Sequence, residues 1–175
     1  FTSNQSEGTR NYGDWGGLII LGDAPINVPG GVAVIEGGVD TPEGDASYGG
    51  ANASDNSGAL VYVRIEYPGI AFVPGNEING LTCGGVGNGT LLDHVMVSRS
   101  GDDAFEFFGG TVNANYLIAH NTYDDDFDTD FGFSGKVQFG LVKRDPNFAD
   151  VSGSNGFESD NDATGSANSP QTNPT

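Results

Sequence analysis

The chain is predicted to be all-β, folded as a right-handed parallel β-helix with about 22–24 residues per coil, and three observations predict it. An acidic-aromatic phrase recurs at Phe105-Glu106, Phe127-Asp128 and Phe157-Glu158, the first two copies 22 residues apart. Four apolar segments align without gaps. Glycine (29) and proline (8) punctuate short alternating runs where a helical pattern would need long uninterrupted ones. A fixed period of this size is the mark of a solenoid, because each repeat can bury its apolar face only against the next.

The aligned segments are Leu60–Glu66, Leu92–Ser98, Ala114–His120 and Val137–Lys143, at successive offsets of 32, 22 and 23 residues. Side chains alternate across a strand, so one face collects Val63, Val95, Leu117 and Gly140, then Ile65, Val97, Ala119 and Val142. That face is the predicted core. The other collects Tyr62, His94, Tyr116 and Phe139, then Glu66, Ser98, His120 and Lys143, and is predicted to point outward. Upstream, Trp15–Leu21 and Gly31–Glu36 are expected to form earlier, less regular coils. Residues 40–58 are expected to be an exposed insertion, Gly84–Gly89 a corner, and Ala163–Thr175 a polar tail or unfinished coil within one domain spanning 1–175.

Acidic residues number 24 against 6 Lys and Arg, a formal charge of -18. This excludes nucleic acid and anionic membrane surfaces as partners and favours divalent cations or neutral polymers. No apolar run reaches the roughly 18 residues of a membrane span, so no membrane insertion is expected. The single Cys83 allows no internal disulfide and is read as a small buried filler. Abundant Gly, Asn, Ser and Thr with scarce Lys suit a secreted or cell-surface protein. Asn4, Asn52 and Asn88 open N-glycosylation-type triplets.

Several longer motifs support the same fold: Gly13–Gly22, Glu36-Gly37-Gly38, Tyr62–Glu66, Ser100–Asp103 with Phe105-Glu106, and Ser152–Asn161. In these the chain resembles secreted bacterial β-helix surface proteins of the Bacteroidetes type, of uncharacterised function. The resemblance implies a right-handed parallel β-helix, export, and a longer parent protein; it supplies no catalytic residues. It also prompts the expectation that open ends, with Phe1 of one copy following Thr175 of another, stack head to tail into a homopolymer.

Stacked coils would turn the acids into a ladder. Asp102, Asp103, Glu106, Asp124, Asp125, Asp128, Asp130, Glu158 and Asp160 are the candidate metal ligands, with Asp126 and Asp162 alongside. Oxygen-only donors point to Ca²⁺; zinc or copper would want His or Cys. The third copy, 30 residues after the second, requires a loop at 147–153 that returns Glu158 to the same edge. Asp124–Asp130 lacks the glycine and terminal Glu of an EF-hand. Tyr62, His94, Tyr116 and Phe139 are candidate contacts for a glycan or a protein partner.

No catalytic residues are assigned. Nucleophilic chemistry finds no Ser or Cys motif around His94 or His120, and carboxylate pairs arise by accident in an acidic ladder. The leading expectation is a non-enzymatic, calcium-stabilised extracellular structural or adhesive element. The alternative is a carbohydrate-active β-helix that binds or cleaves an acidic polysaccharide, with Arg99 or Lys136 as the residue to test.

Overall fold

The computed structural model describes residues 1–73, 76–151 and 153–175, with side chains also omitted at Phe72 and Val73. Among the described residues there are strands and no helix. In chain order these are β1 (Leu18–Leu21), β2 (Ala33–Val34), β3 (Ser47–Tyr48), β4 (Ala59–Glu66), β5 (Ala71–Val73), β6 (Asn76–Glu77), β7 (Leu81–Gly84) and β8 (Leu91–Ser98). They continue with β9 (Phe105–Phe108), β10 (Asn113–Asn115), β11 (Ile118–His120), β12 (Phe127–Asp130), β13 (Lys136–Gln138), β14 (Leu141–Lys143) and β15 (Glu158–Ser159).

Two parallel sheets make the frame. The first runs β1-β7-β9-β12-β15, and the second joins β4, β8, β10, β11, β13 and β14. In the second, Leu60, Leu92, Ala114 and Val137 are register partners, as are Ile65, Val97, Ala119 and Val142, so the gapless alignment is the physical pairing. The long strands β4 and β8 bend at Tyr62 and His94, where φ is 55° and 54°; Tyr116 and Phe139 take the same left-handed conformation between β10 and β11 and between β13 and β14. Left-handed backbone costs a non-glycine residue roughly 1–2 kcal/mol. Here it turns the chain through a corner within one residue and throws an aromatic ring outward.

One core lies between the sheets. Leu81, Phe105 and Phe127 are successive partners in the first sheet, with the two Phe rings stacked at 5.3 Å, and they share a buried cluster with Val95, Val97, Leu117 and Ala119 of the second. Cys83 sits in this core, fully buried, as a filler. Val63 and Val142 are half-buried against it, whereas Gly140 is exposed at the last layer.

Gly31–Glu36 departs from expectation. It is no earlier coil: β2 pairs antiparallel with β3, and residues 23–50 form a lid over the outer face of the first sheet. The cause is a second apolar cluster, in which Ile26, Ile35, Ala46 and Tyr48 cover Phe108. Residues 40–58 are therefore an exposed insertion only in part, because Ala46 and Tyr48 are buried within it. The tail of 163–175 is tied back to the frame: Gly135 O accepts from Thr175 N at 3.2 Å, and Thr175 O accepts from Val137 N at 3.0 Å.

Candidate cation site and aromatic column

The acidic phrases enter the first sheet in register. Glu106 pairs with Asp128 and Asp128 with Glu158, so all three project from the sheet's outer face, opposite Phe105 and Phe127, which alternate into the core, whereas Phe157 at the last layer is exposed. The segment 144–157 accommodates the longer 30-residue step between Asp128 and Glu158. Ser152, within the loop expected at 147–153, lies outside the described residues.

The acids divide into roles. Asp103 Oδ1 accepts from the backbone N–H of Asp125 at 2.9 Å, and Asp125 Oδ1 accepts in turn from the N–H of Asn155, so this column ties one layer's turn to the next. Asp126, fully buried, pairs with Arg144 at 2.9 Å. Asp130 holds the N–H of Phe131 at 2.6 Å, and Asp162 closes a local turn through Thr164 and Ser166. Asp160 is exposed.

What remains is a concentrated group. Asp102, Asp103 and Asp124 bring carboxylate oxygens within 4.8 Å of one another, and so do Asp103, Glu106 and Asp128, with Asp103 common to both. Burial is the first cause of a rise in the pKa values of Asp102, Asp103, Glu106 and Asp128, and neighbouring carboxylates are the second. Asp102 and Asp128 are pushed up to about 7, while Asp103 and Glu106 are raised well above the usual carboxylate range. Asp125 is pushed up to about 8, by burial and by its hydrogen bond to Glu158; Asp130 rises to about 6.

Four further residues join the site without a repeat to announce them. Glu36 reaches in from the lid to the side of Glu106, the two carboxylates meeting at one amide. Asn79, fully buried before β7, donates its Nδ2 to Glu106 and, at 3.1 Å, to Glu36. Glu77 and Asp150 line a cavity of about 350 Å³ with Asp102, Asp124 and Tyr123. Asn79 Oδ1 and Asp128 Oδ1 are buried with no hydrogen-bond partner among the described residues.

This donor set fits a hard cation. Every candidate ligand is an oxygen, the number and irregular arrangement suit Ca²⁺, and buried acceptors without donors gain from a positive ion. Softer metals find no thiolate or imidazole here, since Cys83 is in the core and His94 and His120 lie on the second sheet.

On the second sheet, Tyr62, His94, Tyr116 and Phe139 form one continuous stack, with ring centroids 4.5, 4.5 and 4.8 Å apart and planes within 26° of parallel. Tyr62 is 77% exposed and Phe139 65%. The rings flank a groove of about 490 Å³ whose floor includes Met96, Ile118 and Leu141. A sugar stacks on an aromatic face, and along this column the faces are occupied by neighbouring rings; the outer faces of Tyr62 and Phe139 and the ring edges remain.

Arg99, Arg144 and His120 are engaged locally. Arg99 lies over the Tyr67 ring at 5.5 Å, Arg144 holds Asp126 together with Asn155 O, and Ser98 Oγ meets His120 Nδ1 at 2.9 Å. Burial, Lys143 and Arg99 hold the His120 imidazole below its ordinary pKa. Lys136 is exposed. Asn4, Asn52 and Asn88 are exposed, and the Asn88 N–H donates to Ala53 O at 3.1 Å, placing the last two triplets side by side. Among the described residues, no helix is long and apolar enough to cross a membrane.

A family profile described as a pectate-lyase-like beta helix domain matches residues 1–175. No curated protein and no solved structure gives a significant match.

Proposed function

The chain belongs to the pectate-lyase-like beta-helix family, and on that footing we propose that it is an exported, non-enzymatic element of a bacterial surface or extracellular fibre, wound as a right-handed β-helix of about 22–24 residues per coil and stabilised by calcium at its acid ladder. One observation carries the proposal. Asp102, Asp103 and Asp124 form one trio and Asp103, Glu106 and Asp128 a second, each with carboxylate oxygens within 4.8 Å, while the ion pairs of Arg64, Arg144 and His94 go to Glu66, Asp126 and Asp93.

Electrostatics makes a cation the natural complement. Two unit charges 4.8 Å apart repel by roughly 1 to 3.5 kcal/mol at effective dielectric constants of about 80 to 20, and several such repulsions are comparable to a domain's typical net stability of about 5–15 kcal/mol. Ca²⁺ would be held by the carboxylates of Asp103, Glu106, Asp128, Asp102 and Asp124, with Asp125, Asp130, Glu158 and Asp160 further along the same edge. The terminal layers of the stack offer a route to homopolymer formation, and the aromatic column offers a partner-facing surface.

The test is thermal unfolding in chelator and in excess calcium. An ion at about 100 times its dissociation constant adds about 2.7 kcal/mol, which for a domain of this size is roughly 5–10 °C in Tm. An unchanged Tm refutes the calcium reading. The second reading, a polysaccharide-active β-helix, draws on the family description and the groove beside the aromatic column. It predicts new absorbance from uronate polymers, lost on replacing Arg99 or Lys136; an inert protein that still assembles supports the structural reading.

A further inference from the structure

Glu36 is the one carboxylate of the acid cluster that comes from the lid, and its placement gives the cluster a second consequence. The lid rests on the first sheet through Ile26, Ile35 and Tyr48, and the hairpin holds itself together through Ile35 N–H to Ala46 O at 2.9 Å. At its tip Glu36 lies against Glu106 and against the amide of Asn79. Both carboxylates take hydrogen bonds from the same Asn79 Nδ2, which leaves Asn79 Oδ1 as an acceptor with nothing to accept, on a residue that is 0% exposed. Asp128 Oδ1, from the neighbouring strand, is buried in the same condition. Carboxylates alone would be an acidic surface; the amide that donates to two of them is fully buried and its oxygen has no donor, so a positive ion beside it would satisfy that oxygen.

We propose that Glu36 and Asn79 complete, with Glu106, Asp103 and Asp128, a divalent-cation site that latches the lid to the first sheet. The inference rests on the calcium reading above and adds two ligands and a moving part to it. With the ion bound, Glu36 and Glu106 share it as ligands and the lid is held down over Phe108. Without it, two carboxylates that take hydrogen bonds from one amide are left facing each other across the lid–sheet boundary. The lid's apolar underside then becomes the surface that opens.

The experiment is amide hydrogen exchange of the segment 33–48 in the full chain, in chelator and in calcium, alongside the Tm under the same conditions, for wild type and Glu36→Gln. Calcium is expected to slow exchange of this segment at least about tenfold in the wild type, and Glu36→Gln should lose most of that slowing while keeping a calcium-dependent rise in Tm from the Asp102–Asp103–Asp124 trio. A wild type whose Tm rises with calcium while exchange over 33–48 stays the same overturns the latch and leaves the ladder reading standing. No response in either quantity overturns both. Equal slowing in Glu36→Gln and wild type removes Glu36 from the site. Should Glu36→Gln not fold, the wild-type comparison alone decides.

Discussion

Asp128→Asn isolates the electrostatic cost of the ladder. The Asp128 carboxyl is raised from 3.8 to about 7, by burial first and by Asp130 and Glu158 next. At about 1.4 kcal/mol per pH unit, the ionised form is disfavoured in the folded protein by about 4 kcal/mol. Coulomb repulsion from one carboxylate at 4.8 Å, roughly 1 to 3.5 kcal/mol, is of the same order, so about 1–4 kcal/mol is the working range. The sign follows from proton counting. Between about pH 4 and pH 7 the folded chain keeps a proton that the unfolded chain has lost, so stability declines as pH rises through that window and stays low above it. Urea denaturation in chelator should show the wild type losing stability from about pH 4.5 to about pH 8, with Asp128→Asn losing about 1–4 kcal/mol less. Near pH 4.5 the two proteins should be nearly equal. A wild type equally stable at both pH values without divalent ions, or an Asn variant less stable than wild type at the higher pH, would refute the reasoning.

Two other substitutions probe the frame. Tyr116→Gly and Tyr116→Ala both remove a ring stacked on two neighbours, worth about 0.5–1.5 kcal/mol per contact, but Gly accepts φ of 54° freely, so the Ala variant should be less stable than the Gly variant by about 1 kcal/mol in chemical denaturation. Arg144→Ala leaves the buried Asp126 carboxylate without its cation and should cost about 3–5 kcal/mol, with Arg144→Ala/Asp126→Asn recovering part of the loss.

The sheet frame was legible because it repeats. Leu60, Leu92, Ala114 and Val137 announce their pairing by spacing and alternation alone, and the same periodicity carried Glu158 back beside Asp128 despite the longer step. Features that occur once left no such trace. The lid reads as irregular strand and polar loop, since Ile35 and Tyr48 reveal their burial only when Phe108 is placed beneath them. Glu36, Glu77, Asn79 and Asp150 lie between repeats and reach the acid cluster through tertiary packing, so no spacing could find them. Nor could the left-handed corners be foreseen: aromatic side chains at Tyr62, His94, Tyr116 and Phe139 occupy a conformation whose usual signal is glycine.

The carboxylates of Asp103 and Asp125 each finish a turn that belongs to the following layer. A layer of this protein is thus incomplete as a unit of sequence: part of what fixes its backbone is encoded 22 residues upstream for Asp125 and 30 for Asn155. The step can lengthen from 22 to 30 residues and keep this tie, because the longer loop returns the Asn155 N–H to the carboxylate of Asp125. An insertion is thus judged by where it returns the chain and not by its length, since the carboxylate and the backbone bonds of Ala104 N to Asp125 O and Asp126 N to Asn155 O must all meet again.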